Sequence, residues 1–230
     1  MESIPIFICD MEKRLVIFDL DGTLLDTIAD LATATNFALR AYGHPEHDIE
    51  KYRYFVGNGI RKLVERALPE EARSASHVDD VLGYFRQYYM RHCEDLTAPY
   101  KGIVELLQKL QEMGVMCAVA SNKFQVGTES LVKRFFSNIN FVAVFGQREG
   151  VPVKPDPQIV FDIMHIAGVA ANDVLYVGDS GVDMQTALSA GVTGIGVLWG
   201  FRTADELLQN GAKFLVSTPE EVLKILKEKQ

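Results

Sequence analysis

Asp19 and Asp21 stand two positions apart at the end of the apolar run Leu15-Val16-Ile17-Phe18, with Gly22 and Thr23 directly behind them. Four such residues suit a buried strand. A buried strand has no structural use for two acids, because unpaired charge is strongly disfavoured away from water. At a strand's end the chain leaves its pleat for a loop, so both carboxylates can face one site. A glycine there lets backbone N–H groups approach an anion. The competing reading of this stretch alone is an acidic turn with a capping threonine.

Three later segments carry residues that could act with these acids. Met116–Ala120 reads as a second buried strand running into Ser121-Asn122, where a hydroxyl and neighbouring N–H donors can hold phosphate oxygens. The same pattern describes an ordinary helix N-cap. Lys154 sits among Pro152, Pro155 and Pro157, which stiffen its loop, and Pro157 is placed to begin a helix. Read alone, that loop could equally be a surface loop with one solvated lysine. Val174–Val177 is a third apolar strand; it delivers Asp179, and Asp183 follows across a short turn.

Asp-x-Asp-Gly-Thr, Ser121, Lys154-Pro155 and the Asp179/Asp183 pair occur in the order of the four motifs of the haloacid dehalogenase-like phosphohydrolases. The resemblance covers residues 15 to about 200. It implies that Asp19 is the nucleophile, Asp21 the general acid/base and Lys154 the phosphate-binding lysine. It also implies a Mg²⁺ site made by the Asp19 and Asp179 side chains and the Asp21 carbonyl. Asp183 is either a further metal ligand or the residue that orients Lys154. Ser121, Asn122 and the N–H groups near Gly22 are the implied phosphate donors; Thr23 either fixes the loop or contacts phosphate. Asp21 speaks for phosphate chemistry, because the dehalogenases of this family lack a second catalytic aspartate.

Three local stretches resemble the phosphoglycolate phosphatase-like branch: Ser121-Asn122-Lys123, Val56-Gly57-Asn58-Gly59 and Trp199-Gly200-Phe201-Arg202. Gly57-Asn58-Gly59 is at minimum a turn with permissive φ. If it approaches substrate, Gly57, Asn58, Gly59, Arg61 and Lys62 become specificity residues, with Lys123 as the alternative from the core side. The expected substrate is a small organic phosphate, phosphoglycolate first. The same scaffold also serves phosphosugar mutases or phosphatases and pyrophosphatases, and a non-catalytic binding protein is the alternative of another class. A binding module has no need of an acid/base aspartate.

The chain that must position these residues has 230 positions, with 23 basic and 31 acidic side chains and a formal net charge of −8. That balance argues against a nucleic-acid partner, which requires a basic face. It is compatible with a small phosphorylated metabolite, because a lysine and a cation can reverse the field inside a pocket. No run reaches the roughly 18 apolar residues of a membrane span. The apolar Ile4–Cys9 stretch lacks the flanks of a signal peptide, and with Met11 just ahead of the first strand residues 1–10 read either as native chain or as a dispensable extension before an alternative start. Cys9, Cys93 and Cys117 have no CxxC spacing and fit reduced thiols in the cytoplasm. Nothing in the chain speaks to oligomeric state.

From Leu15 onward strands and helices alternate, which predicts an α/β fold with a doubly wound, mostly parallel, Rossmann-like sheet. Helices are expected near 103–113, 125–136 and 157–167, and another after Asp183; strands near 141–145 and 193–197. One interval breaks the alternation. Between Asp26 and Thr97 the periodicity is helical: Thr27 can cap a first helix whose N-terminus Asp30 favours, Ile28, Leu31, Thr35, Ala38, Leu39 and Tyr42 lie on one face, and Val78, Leu82, Phe85 and Tyr89 on another. The expected organisation is a core of residues 11–25 and 98–230 carrying an inserted helical cap of 26–97. The five histidines form no triad or His-x-x-x-His pair; His44, His47 and His77 read as lying in polar turns, His92 and His165 in helices, and all are assigned to surface or packing roles.

Overall fold

A computed structural model describes residues 13–226. The expectations for residues 1–10 and Cys9 therefore lie outside the described part. Six strands form one parallel sheet: β1 (Leu15–Phe18), β4 (Met116–Phe124), β5 (Phe141–Gln147), β6 (Val174–Gly178), β7 (Thr193–Val197) and β8 (Phe214–Val216). Their order is β5-β4-β1-β6-β7-β8. β1 pairs with β4 on one side and β6 on the other, in register Leu15↔Met116 and Leu15↔Val174. The strands carrying Asp19, Ser121 and Asp179 are thus adjacent, and their carboxyl ends share one edge of the sheet.

Period-two alternation divides β1 between two cores. Val16 and Phe18 pack on one face of the sheet, Leu15 and Ile17 on the other, all with no exposed surface. Parallel strands covered on both faces read as unbroken apolar runs for this reason. Helices α5 (Ile103–Glu112), α6 (Gln125–Phe135), α7 (Gln158–Ala167), α8 (Gly181–Ala190), α9 (Ala204–Gln209) and α10 (Pro219–Ile225) supply the cover. Gly168, at φ 64°, ends α7 as its position after the last periodic residue predicts.

Between β1 and α5 the chain forms α1 (Ile28–Ala41), α2 (Ile49–Phe55), α3 (Ile60–Ala67) and α4 (Ala75–His92). The predicted faces of α1 and α4 are buried. Their side chains join the same apolar cluster as Val16 and Phe18, so this core continues beyond the sheet. A short antiparallel ribbon brackets the helices: β2 (Leu25–Asp26) pairs with β3 (Ala98–Pro99). Two-residue strands carry no periodic signal, and the sequence reading contains neither. Asp30, read as a favourable first-turn acid, does more. Its buried carboxylate accepts from the Leu96 and Thr97 N–H groups and the Thr97 hydroxyl at 2.8–3.1 Å.

Three local expectations are corrected. β4 does not end at Ala120; it slips register against β5 and runs on to Phe124, so Ser121, Asn122 and Lys123 lie within an extended, buried segment. Asp183 does not precede its helix but lies in the first turn of α8, where it completes a capping box with Ser180. His77, expected in a turn, lies within α4 with its ring 2.7 Å from that of His44.

Candidate active site

Asp19 follows β1 and is 8% exposed, held by its backbone N–H to Val177 O of β6. Its Oδ1 accepts from Lys154 Nζ at 2.9 Å. That ammonium spends its other two protons on Asp183 Oδ1 at 2.7 Å and Ala120 O at 2.8 Å, so all three donors are committed. The Lys154–Pro155 peptide is cis. Asn122 fixes the lysine's backbone from both sides: Lys154 N donates to Asn122 Oδ1, and Asn122 Nδ2 donates to Lys154 O. The same Nδ2 reaches Gly57 O at 3.2 Å. The Asn122 side chain is therefore a bracket between three segments.

Asp179, buried at the end of β6, accepts from Phe201 N at 2.8 Å and, more weakly, from the Thr23 hydroxyl at 3.4 Å. One oxygen each from Asp19, Asp179 and Asp183 lies within 4.8 Å of the others. Both oxygens of Asp183 are already engaged, Oδ1 by Lys154 and Oδ2 by the Ser180 N–H and hydroxyl. Three buried carboxylates face one ammonium here. Burial and then the charge of Asp183 push the Asp19 carboxyl up to about 7, against the lowering pull of Lys154. Burial, Asp183 and Asp19 likewise raise Asp179 well above the carboxylate range. For Lys154 burial acts downward, but Asp183 and Asp19 outweigh it and hold the ammonium protonated. An all-oxygen donor set with excess negative charge fits a hard divalent cation.

The glycine of the Asp-x-Asp-Gly-Thr stretch has a steric purpose. Gly22 sits at φ 88°, and a Cβ there would lie 2.3 Å from Asp179 Oδ2. Its N–H is spent on Leu25 O, so Gly22 gives close approach and not the expected phosphate contact. Thr23 is fully buried with its hydroxyl on Asp179, and its carbonyl accepts from Trp199 Nε1 at 3.0 Å. Of its two readings, the geometry matches loop fixing.

Asp21 faces a cavity lined also by Asp19, Ser121, Lys123 and Asp179, with Leu31, Gly57, Gly59 and Ile60 opposite. Its carboxylate takes both bonds from Lys123 Nζ, at 3.1 and 3.4 Å. Lys123 is 3% exposed, donates to Tyr89 OH at 2.7 Å and sits 4.6 Å from that ring's centre. Burial lowers its pKa, yet the charge of Asp21 and the Tyr89 hydroxyl raise it by more. Ser121 Oγ accepts from Lys123 N at 3.2 Å. Space inside is small, about 30 Å³, where one water occupies roughly 10–15 Å³ by the same measure.

The turn after α2 reaches this cavity as expected, with Gly57 at φ 117° and Gly59 at φ 81°. Asn58 turns away, its Oδ1 accepting from Arg66 Nη2 at 2.7 Å. Arg61 and Lys62 do not line the cavity. Both are exposed on α3, paired with Asp79 and Glu65 respectively, because α3 turns its apolar face, Ile60, Leu63 and Val64, inward. Sequence reading missed Tyr89, taken as plain core, and the role of Arg202, which lines the cavity. Tyr89 falls on the buried stripe of α4, and no spacing signal marks its hydroxyl as bound to Lys123. Arg202 belongs to the Trp199–Arg202 stretch that had been singled out without a role.

Residues 16–197 match the haloacid dehalogenase-like hydrolase family. The phosphoglycolate phosphatase of Mesorhizobium japonicum is 34% identical over 194 residues, covering 83% of this chain and 85% of that protein. Phosphoglycolate phosphatase 1 of Pseudomonas aeruginosa is 31% identical over 227 residues, covering 97% and 83%. A crystal structure from Lactobacillus delbrueckii subsp. bulgaricus superposes with a TM-score of 0.89 at 33% identity, over 95% of this chain and all of that one.

Proposed function

The chain belongs to the haloacid dehalogenase-like hydrolase family and is a phosphatase, and we propose that it cleaves phosphoglycolate or a similarly small, carboxylate-bearing phosphomonoester in the cytoplasm. One observation carries the reading. The nucleophile candidate Asp19 and the acid/base candidate Asp21 share one cavity with the buried Lys123, closely covered by the Gly57–Gly59 turn and Ile60, which suits a small leaving group. The names of the relatives support the same substrate.

In this reading Asp19 attacks phosphorus in line and becomes a phospho-aspartate, dividing one slow hydrolysis into two steps. Lys154, held by Asp183, neutralises charge on the phosphoryl oxygens, and Ser121 donates its hydroxyl to another. Asp21 gives a proton to the departing oxygen and later takes one from the attacking water. Mg²⁺, held by the side chains of Asp19 and Asp179 and the carbonyl of Asp21, supplies charge neutralisation when bound. Asp183 acts through Lys154, since its two oxygens already have partners. Residues 26–97 serve as a lid over a core of 11–25 and 98–230, excluding bulk water during transfer.

Phosphate release from a panel of phosphomonoesters, with Mg²⁺ and with EDTA, tests this. Phosphoglycolate should give the highest kcat/KM, and only with the metal. A preference for a hexose phosphate would move the enzyme to the sugar-phosphate branch of the family, and activity in fully chelated enzyme would remove the metal from the mechanism.

A further inference from the structure

Arg202 is the residue left unexplained by phosphoryl chemistry. It ends a segment bolted to the acid cluster: Trp199 donates to Thr23 O, Phe201 N donates to Asp179, and Gly200 lies against Asp179 so closely that a Cβ would sit 2.2 Å from the aspartate's own. The guanidinium then crosses to the lid, where Nη2 donates to Val56 O at 2.8 Å. Nε lies 3.3 Å from Glu206 Oε1, an oxygen that also accepts from Gly181 N. Its side chain is 11% exposed. Among the described residues nothing accepts from Nη1, which is buried.

A buried guanidinium N–H without an acceptor loses hydration and gains nothing in return. A second cation stands nearby. Arg66 donates to Phe55 O and Asn58 Oδ1 from the far side of the turn, and its pKa is lowered first by burial and then by the charge of Arg202. The Val56–Gly59 turn is therefore held by two arginines that repel one another. An anion brought against the guanidinium would give Nη1 the acceptor it lacks and offset that repulsion.

From these contacts we infer that Arg202 binds the carboxylate of the substrate's leaving group, and so selects carboxylate-bearing phosphomonoesters of two or three carbons. Asp19, Asp21, Ser121 and Asp179 line the cavity together with Arg202, and Lys154 meets it only through Asp19, so the phosphoryl machinery leaves the guanidinium to another group. A planar guanidinium matches a carboxylate with two parallel N–H bonds, which an ammonium cannot do. The inference rests on the phosphatase reading above.

The test compares phosphoglycolate with 2-hydroxyethyl phosphate, an ester of similar length that lacks the carboxylate, on wild type, Arg202→Gln and Arg202→Lys. Wild type should favour phosphoglycolate. In Arg202→Gln that preference, as a ratio of kcat/KM values, should fall by about ten- to a hundredfold, mostly through KM. Arg202→Lys should recover part of it. Glycolate, tested as a product inhibitor, should weaken at least about tenfold more than inorganic phosphate does in Arg202→Gln. Equal losses on both esters, or unaltered glycolate inhibition, would show that Arg202 only ties the lid to the core. If wild type handles the two esters alike, this inference falls and the phosphatase reading stands. If neither ester is hydrolysed with Mg²⁺, the substrate reading falls and the inference with it.

Discussion

Lys154 Nζ lies closer to Asp183, at 2.7 Å, than to Asp19, at 2.9 Å. The ammonium proposed to serve the phosphoryl group is thus positioned by an acid that itself caps a helix. Asp183→Asn keeps the shape and removes the charge. Breaking a buried ion pair on one side costs about 3 kcal/mol, which denaturant unfolding should detect. The kcat should fall by about ten- to a hundredfold, as for other residues that orient a site from behind. The Mg²⁺ concentration for half-activation should move less than in Asp179→Ala; an equal shift would make Asp183 a direct ligand.

Asp19→Asn should remain folded and lose several powers of ten in kcat, because an amide is isosteric but a poor nucleophile. Circular dichroism establishes the fold, and mass spectrometry excludes deamidation back to aspartate. Turnover near that of wild type in such a preparation would remove Asp19 from the chemistry.

The crowded carboxylates set an unusual pH dependence in cation-free protein. The Asp19 carboxyl is held up to about 7 from an ordinary 3.8, so the folded state keeps a proton that the unfolded chain releases between those values. Stability from this group is therefore present at low pH and falls as pH rises through the window, the reverse of a salt-bridged carboxylate. Thermal melts in EDTA, taken as the difference between wild type and Asp19→Asn, isolate the effect. Mg²⁺ should flatten the slope, since a cation favours the charged form. A wild-type advantage that grew with pH in EDTA would contradict the assignment.

Arg61→Ala and Lys62→Ala should leave the ratio of phosphoglycolate to aryl phosphate turnover within about twofold. Their partners are exposed, and such pairs contribute about 0–1 kcal/mol. A tenfold change in that ratio would place one of them in the cavity during turnover.

Much of this arrangement is legible in the amino acids alone. Strands whose faces are both covered announce themselves as apolar runs, and an acid at the end of such a run stands out against them. That is why Asp19 and Asp179 could be located. Arg61 and Lys62 were misplaced for a physical reason: nearness to a permissive turn says nothing about which way a helix faces, and the apolar stripe of α3 turns them to solvent. Tyr89 was hidden by its own burial, since a tyrosine whose hydroxyl meets Lys123 has the same spacing as one that only fills space. The strand order and the slipped pairing beyond Ala120 depend on partners remote in the chain.

The β2–β3 ribbon has a mechanical meaning. The two connections through which helices α1–α4 attach are hydrogen-bonded to each other, and Asp30 rivets the returning one to the first turn of α1. Any swing of those helices must flex one laminated strap instead of two independent strings. Such pairing couples the two connections, so neither shifts without the other. The Arg202–Val56 hydrogen bond across the seam is then held to one alignment by the same coupling.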